Sequence, residues 1–221
     1  MISRPPGSDS SSPCKRQPSR RRPASDVYAS DRHANRGKQR EFRRLLADLP
    51  AEVVTPDEIG LGLDVEEPHD TYAENAAAKA LAYAGASGLL AVADDSGIEV
   101  AALGWGPGVR SARWGTGRGS QAERVIEALR GVDDRRARMV CALAVATPTA
   151  LEPALEIFTG ILDGSIAHEQ RGSGGFGYDP IFLLPSGVTT AELPEGEKDR
   201  ISPRGRAVAA ASARLREILA H

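Results

Sequence analysis

Two adjacent carboxylates are the residues of this sequence best suited to chemistry. Asp94 and Asp95 follow the apolar run 89–93 and precede Ser96 and Gly97. The pattern predicts a buried strand that ends in an acidic turn. A carboxylate there can hold Mg²⁺, which prefers oxygen ligands, or can act as a general base on a water nucleophile. A plain Asp turn, in which Gly97 supplies a positive φ, explains the same residues equally well.

A second candidate is the segment Asn35-Arg36-Gly37-Lys38. It precedes a helix that is predicted by four apolar residues at helical spacing, Phe42, Leu45, Leu46 and Leu49. Free backbone N–H groups at a helix start favour an anion, and Lys38 adds a positive charge. The segment is therefore a candidate for binding phosphate, although an ordinary turn before a basic helix has the same composition.

The region before the next predicted helix is acidic. Residues 66–70, Glu-Glu-Pro-His-Asp, precede a capping box formed by Thr71 and Glu74. The box predicts a long helix through the Ala-rich run 75–86 that ends near Gly88. Acidic residues at this place also complement the helix dipole without binding a ligand. Lys79 lies on the same helix, and its spacing favours an exposed position over one in a cleft.

Four glycines surround an aromatic pair in residues 172–180. Glycines allow the backbone to approach a ligand, Phe176 or Tyr178 can stack on a base, and Asp179 can accept hydrogen bonds from the edge of a base. Residues 197–206 then supply cations before the last helix. An exposed, solvated segment without a binding function would have the same charged composition as residues 197–206.

Composition limits the class of protein. The chain has 221 residues, 41% of them hydrophobic, which is enough for one substantial core or two small lobes around a cleft. No apolar run approaches the roughly 20 residues of a membrane-spanning helix. Cys14 and Cys141 exclude a disulfide framework and form no zinc motif, which favours a cytosolic protein. The motifs GxSxG and HExxH and a Walker loop are absent from the sequence.

The charge is distributed unevenly. Residues 1–24 are rich in Ser, Pro and Arg, with six basic residues and one acidic residue, and they are expected to be a disordered extension. Residues 25–221 are expected to form the functional domain. This part has 22 basic and 29 acidic residues, which suits a metal-assisted site for a small phosphate compound better than a nucleic-acid surface.

The order of predicted elements indicates an α/β (mixed α+β) fold. Helices and strands alternate early in the chain, and strands cluster in its middle. A second capping box, Ser120 to Glu123, begins a further helix, and the last helix is predicted over 205–219. Strands are predicted over 51–55, 89–93, 98–103, 138–147, 154–162 and 178–184, with a weak candidate at 27–29.

Seven segments in this order resemble the inosine triphosphate pyrophosphatase family of non-canonical purine nucleoside triphosphate pyrophosphatases. They are NRGKQREF, EEPHDTYAENAAAKA, ADDSGIEV, GWGPGVRSARW, GGFGYDPIF, AEL and EKDRISPRGRA. The resemblance implies an elongated, two-lobed fold around a long central mixed sheet, with the active site in the cleft between the lobes. It also implies a homodimer and Mg²⁺-dependent hydrolysis of ITP, dITP or XTP to the monophosphate and pyrophosphate.

The resemblance also implies a role for each matching residue. Asp95 matches the carboxylate that is linked to Mg²⁺ and activates the attacking water, and Glu66 matches the metal-binding Glu, with Glu67 adjacent. The remaining matches are substrate-binding residues: Asn35, Gly37 and Lys38 for the triphosphate, Ser96 after the catalytic acid, Phe176, Gly177, Tyr178 and Asp179 for the purine, and Lys198 and Arg204 for the nucleotide.

Two departures from the family pattern leave alternatives open. Ser202-Pro203-Arg204 stands where the family usually has Ser-His-Arg, so an imidazole is missing and the local backbone is expected to change. Polar residues 31–34 stand where the family has an apolar strand, and a shifted reading frame before Asn35 is one hypothesis for this difference. The alternative function is a nucleotide-binding family member with weak or no turnover. Binding of nucleic acid by the basic tail is a third hypothesis.

Overall fold

The computed structural model describes residues 27–30, 36–114, 119–149 and 154–220, with the backbone alone for 27–30. The expected disordered extension, Cys14 and the phosphate-loop residue Asn35 lie outside the described residues.

A seven-stranded mixed sheet forms the centre of the molecule. Its strands are β1 (Val27–Ser30), β2 (Val53–Val54), β3 (Leu90–Val100), β4 (Gly106–Pro107), β5 (Arg136–Thr147), β6 (Ala154–Ile166) and β7 (Phe182–Leu183). The order is β2-β1-β3-β5-β6-β7, and β4 pairs with the end of β3. Strand β1 runs parallel to both of its neighbours, and all other pairs are antiparallel.

Five α-helices surround the sheet in the described residues: α1 (Arg36–Leu45), α2 (Tyr72–Ser87), α3 (Gln121–Ala128), α4 (Glu195–Ile201) and α5 (Pro203–Leu219). The predicted caps are present, because the Thr71 side chain accepts from the Glu74 N–H and Ser120 forms a complete capping box with Glu123. Gly88, at φ 68°, ends α2 in the left-handed conformation that glycine adopts without strain. No helix in the described ranges is long and apolar enough to cross a membrane.

The core has three parts along the long strands β3, β5 and β6. Helices α1 and α5 pack on one face of the sheet, around Phe42, Leu143 and Leu215. Helix α2 packs on the opposite face through small residues such as Ala76 and Ala80. The third part joins the far ends of the strands to α3 and β7. This arrangement confirms the predicted mixed α/β fold around a long central sheet.

The prediction that Asp94 and Asp95 end a strand in a turn is wrong. Strand β3 continues through both residues, which pair with Leu143 and Ala142 of β5. The strand that does end at this point is its parallel neighbour β1, whose last pair joins Ser30 to Ala93. Asp94 and Asp95 therefore lie within a continuous strand, just beyond the point where the neighbouring parallel strand β1 ends.

Three other predicted elements differ from the structure. The expected separate strand 98–103 is the end of β3 as far as Val100, and Ala101–Leu103 forms a 3-10 turn. The expected strand 178–184 is reduced to Phe182–Leu183, because Asp179–Ile181 forms a 3-10 turn. The charge run before the last helix is itself a helix, α4, and Ser202 separates it from α5. The last helix begins at Pro203, slightly earlier than predicted, and its Val208 and Leu215 are buried as expected.

Candidate active site

A cavity of about 460 Å³ lies against the middle of the sheet. Its walls come from α1, β3, β5, the glycine-rich segment and the start of α5. Nine of the predicted site residues line it: Gly177, Lys38, Asp95, Ser96, Phe176, Tyr178, Asp179, Lys198 and Arg204. Gly37 contacts this wall from α1, since a Cβ there would lie 2.5 Å from the Phe176 ring. The structure thus brings together residues that are up to 167 positions apart in the chain.

Asp94 is the fully buried anion of the site. Arg204 Nη2 donates to its Oδ2 at 2.8 Å, and Lys38 Nζ lies 3.4 Å from its Oδ1. Burial favours the neutral acid, but the surrounding cations, Arg204 foremost, outweigh it and hold the pKa of Asp94 well below its usual range. Asp94 is therefore a permanent carboxylate that anchors two cations.

Asp95 has a different environment. Its Oδ2 accepts a hydrogen bond from Asn75 Nδ2 at 3.1 Å, and Lys79 Nζ lies 3.9 Å from its Oδ1. Burial raises the pKa of Asp95 above its ordinary value, despite the nearby lysines. A carboxylate with a raised pKa that lines a cavity is a stronger proton acceptor than an exposed one. The two neighbouring acids thus have separate properties, which fits their distinct predicted roles.

Of the two candidate glutamates, Glu67 is the one in the site. Its Oε1 accepts from Lys79 Nζ at 2.8 Å and its Oε2 from Arg113 Nη2 at 3.2 Å. Burial alone would raise the pKa of Glu67, but Lys79 and the other cations lower it. Glu66 is exposed and is not among the cavity-lining residues. The alternation of the extended chain places these neighbours on opposite sides, so geometry favours Glu67 over the predicted Glu66.

The donor set near Lys79 fits a magnesium ion. The described ranges contain no group of three or more His, Cys, Asp and Glu side chains arranged to hold a metal. Mg²⁺ does not require such a group, because it keeps several waters and is usually bound by one or two carboxylates together with substrate phosphates. Glu67 and Asp95, which share contact with Lys79, provide two such carboxylates.

Lys79 occupies a buried place in the site, and the prediction that it is exposed is wrong. Its side chain lies between the glutamate loop and β3, with the Nζ group close to both acids. Its position at i+4 from Asn75 places both residues on the same face of α2. The sequence offers this spacing as a signal, but the two acids that pair with Lys79 are visible only in three dimensions.

Asp179 organises the glycine-rich segment. Its Oδ1 accepts from Thr190 Oγ1 at 2.9 Å, and its Oδ2 accepts from the Phe176 N–H at 2.7 Å and from Lys198 Nζ at 2.6 Å. The side chain is buried, and both oxygens already have donors within the protein. These three bonds hold Phe176 and Lys198 in place. Asp179 also lines the cavity, and its role in reading the edge of a base stays a prediction.

Two aromatic residues, Phe176 and Tyr178, line the cavity. The Phe176 ring lies 4.9 Å from Lys198 Nζ and 5.7 Å from the Arg204 guanidinium carbon. Tyr178 donates its hydroxyl proton to the Ser111 carbonyl at 2.7 Å, so its ring is fixed against the cavity. These rings can provide a flat apolar surface for a base, next to the cations that would accompany a phosphate chain.

Arg204 connects the two ends of the site. It pairs with Glu41 and Asp94, and its Nη2 lies 3.3 Å from Ser96 Oγ. Glu41 also accepts from Ser202 Oγ at 3.2 Å. Glu41 was missed at the sequence level, although its position three residues after Lys38, on the same side of α1, is a usable signal.

Pro203 does not disturb the backbone in the way that the sequence suggests. It is the first residue of α5, where its missing N–H would have no helical partner. Ser202 caps the helix normally by accepting from the Gly205 N–H at 3.0 Å. Pro203 is therefore compatible with a regular helix start, and its side chain lines the cavity.

Comparison with known proteins identifies the family. A model of the Ham1 family matches residues 33–214. The dITP/XTP pyrophosphatase of Prochlorococcus marinus is 46% identical over 186 residues, which cover 84% of this chain and 89% of that protein. The dITP/XTP pyrophosphatase of Gloeobacter violaceus is 48% identical over 177 residues, which cover 79% and 87% of the two chains.

A solved structure supports the same relationship. A HAM1 protein from Coxiella burnetii matches with a TM-score of 0.75 and 39% sequence identity, over 87% of this chain and 99% of that chain. The family model spans the cavity-lining residues from α1 to α5. The resemblance predicted from seven ordered motifs is confirmed, and the chain belongs to the Ham1 family.

Proposed function

We propose that this protein hydrolyses non-canonical purine nucleoside triphosphates, ITP, dITP and XTP, to the monophosphate and pyrophosphate. The observation that carries the proposal is a single cavity that is lined by aromatic rings and by two carboxylates among cations. Relatives that cover most of the chain are dITP/XTP pyrophosphatases. The activity removes such nucleotides from the pool, and we expect it in the cytosol.

Binding of the substrate would follow the charge distribution of the cavity. The purine would stack against Phe176, beside Lys198 and Arg204. Lys38, at the start of α1, and the N-terminal N–H groups of that helix would contact the triphosphate. Donors facing the 6-oxo group would select against a 6-amino purine, because a mismatched edge leaves a buried polar group unpaired.

The reaction requires a water molecule and a proton acceptor. Asp95 would orient the water and accept its proton as the oxygen adds to the α-phosphorus and the bond to the bridging oxygen breaks, which releases pyrophosphate. Glu67 and Asp95 would hold Mg²⁺, which supplies charge stabilisation for the phosphates and a lower pKa for bound water. Lys38 and Arg204 would offset the developing negative charge.

The test is direct measurement of pyrophosphate release from ITP and XTP against ATP and GTP, with and without Mg²⁺. We expect Mg²⁺-dependent release that prefers ITP and XTP, and we expect Asp95→Asn to abolish it while the protein stays folded. Asp163→Asn, an exposed acid on β6, is the matched control and should retain activity. Full activity in Asp95→Asn would remove the proposed base.

A nucleotide-binding protein without turnover is the alternative. It would bind ITP without releasing pyrophosphate, under conditions where its folding is verified. The position of Pro203 at the start of α5 removes one reason to expect this outcome.

We also propose that the protein is a homodimer, formed through the face of β6 that lies opposite α5. The large exposed hydrophobic residues of the described ranges all lie on or beside this sheet face: Trp105, Leu155, Ile157 and Ile161. The opposite face of β6 is covered by α5, which touches Gly160. A twofold axis can pair one apolar patch with itself. Ile157→Glu should give a monomer in light scattering, whereas Ala210→Glu, on the exposed side of α5, should not.

A further inference from the structure

The carboxamide of Asn75 makes three hydrogen bonds at the centre of the site. This residue lies in the first turns of α2 and is only 2% exposed. Its Oδ1 accepts from the His69 N–H at 3.1 Å, and its Nδ2 donates to the His69 carbonyl at 3.1 Å and to Asp95 Oδ2 at 3.1 Å. With both of its amide protons and one acceptor position, Asn75 thereby binds two separate segments, the one at His69 and strand β3 at Asp95.

These bonds define the position of the glutamate loop relative to β3. Residues 61–69 form neither helix nor strand, so regular backbone pairing does not fix the loop. Asn75 binds both backbone groups of His69, which lies two residues after Glu67. One helical turn later, Lys79 binds the Glu67 side chain at 2.8 Å. The same face of α2 therefore fixes the backbone of the loop and the direction of its carboxylate.

We propose that Asn75 is a positioning residue that sets Glu67 and Asp95 at the separation needed to share one divalent cation. The inference rests on the proposed function, in which these two carboxylates hold Mg²⁺. Asn75 contacts Asp95 directly and Glu67 through the His69 backbone, so the amide links the two ligands without occupying the metal position.

Few side chains can perform this task. The side chain must accept a hydrogen bond from the His69 N–H and must donate two, one to the His69 carbonyl and one to Asp95. These three positions must belong to one planar group at a fixed distance from the backbone. Aspartate lacks the donors and adds a third carboxylate beside Asp95. Alanine leaves buried polar groups unpaired and frees the loop, and leucine keeps the branched skeleton of asparagine while removing all three bonds.

The experiment measures metal binding without nucleotide. Mn²⁺, a divalent ion that accepts the same oxygen ligands, is titrated into the full-length protein, and the free ion is followed by its electron paramagnetic resonance signal. Asn75→Ala and Asn75→Leu are compared with the wild type. Gln121→Ala is the matched control, because this amide at the start of α3 also donates to a backbone carbonyl, that of Ala112.

We expect both Asn75 variants to bind Mn²⁺ about 10–100-fold more weakly, the range for loss of a residue that orients metal ligands, and Gln121→Ala to bind like the wild type. The Mg²⁺ concentration for half-maximal pyrophosphate release should rise by a similar factor, with the KM for ITP at saturating Mg²⁺ nearly unchanged. A residue that only stabilises the fold would lower the unfolding temperature without changing the metal affinity of the folded protein. The leucine variant keeps the test available if the alanine variant does not fold.

Two results would overturn the inference, and they differ in what they say about the function. If the wild type binds Mn²⁺ and releases pyrophosphate while both folded variants bind the metal equally well, the role of Asn75 is wrong and the proposed function stands. If the wild type neither binds the metal nor releases pyrophosphate, the proposed function fails and the inference fails with it.

Discussion

Replacing Arg204 by methionine tests the buried charge network. Arg204 is 5% exposed and lies between Glu41 and Asp94, which are 2% and 0% exposed. Methionine retains part of the apolar stem of arginine, but it loses the guanidinium that lies over the Phe42 ring and leaves two buried carboxylates without their main cation. Removing one partner of a buried ion pair costs about 3–5 kcal/mol. We therefore expect Arg204→Met to lower the free energy of unfolding by about 3–5 kcal/mol, as measured by urea denaturation.

The same helix provides the control. Arg214 pairs with Glu156 at 2.6 Å, but both side chains are well exposed. An exposed pair contributes about 0–1 kcal/mol, because solvent screens it, so Arg214→Met should change the unfolding free energy little. A typical domain is stable by about 5–15 kcal/mol, so the difference between the two variants is a large fraction of the total.

A second substitution separates unpaired charge from lost packing. Glu41→Gln removes one of the two carboxylates that Arg204→Met leaves unpaired, and it keeps a group that can form a hydrogen bond with Ser202. In the Arg204→Met background it should recover about 1–3 kcal/mol, the coupling typical of residues in one network. The reasoning is refuted if Arg204→Met is no more damaging than Arg214→Met, or if Glu41→Gln destabilises both backgrounds equally.

Two further predictions concern the nucleotide. Gly37→Ala places a methyl group 2.5 Å from the Phe176 ring, and crowding of this kind costs about 1–3 kcal/mol. The KM for ITP should therefore rise roughly tenfold or more in steady-state assays, whereas Gly62→Ala, which meets nothing within 4 Å, should behave like the wild type. Pro203→His adds a donor at the cavity wall without changing the cap made by Ser202. It should increase the preference for ITP over ATP by the worth of one hydrogen bond, about 0.5–1.5 kcal/mol, with an unchanged unfolding temperature. Equal kcat/KM ratios in Pro203→His and the wild type would exclude this position from base selection.

Local signals in the sequence were sufficient for the helices and most of the sheet. The caps at Thr71 and Ser120 and the apolar spacing after Lys38 depend on residues that are close in the chain, so each appears in a short window. The strands β5 and β6 match the apolar runs predicted as strands over 138–147 and 154–162. These elements place most of the predicted substrate contacts, because the contacts lie at helix starts and in the glycine-rich segment.

Tertiary contacts explain what the sequence could not supply. Two adjacent acids after an apolar run predict the end of a strand when no cation is near them in the sequence. The cation that neutralises Asp94 is Arg204, 110 positions away in the chain, so the sequence did not reveal it. Lys79 looked exposed for the same reason, since its partner Glu67 lies in a loop without regular structure. The choice between Glu66 and Glu67 depends on which way an extended loop faces, and no periodicity determines this.

Arg204 contacts both the aromatic wall of the cavity and the buried carboxylate Asp94. Arg204 lies beside Phe176 at the base end and binds Asp94 near the phosphate end, and Lys38 contacts the same carboxylate from α1. A purine that stacks on Phe176 would therefore lie beside the cation that pairs with Asp94. Binding energy from the base can in this way contribute to alignment at the phosphates. A nucleotide that fails to engage Phe176 should consequently lose turnover as well as affinity, so purine recognition and catalysis are coupled through one buried guanidinium.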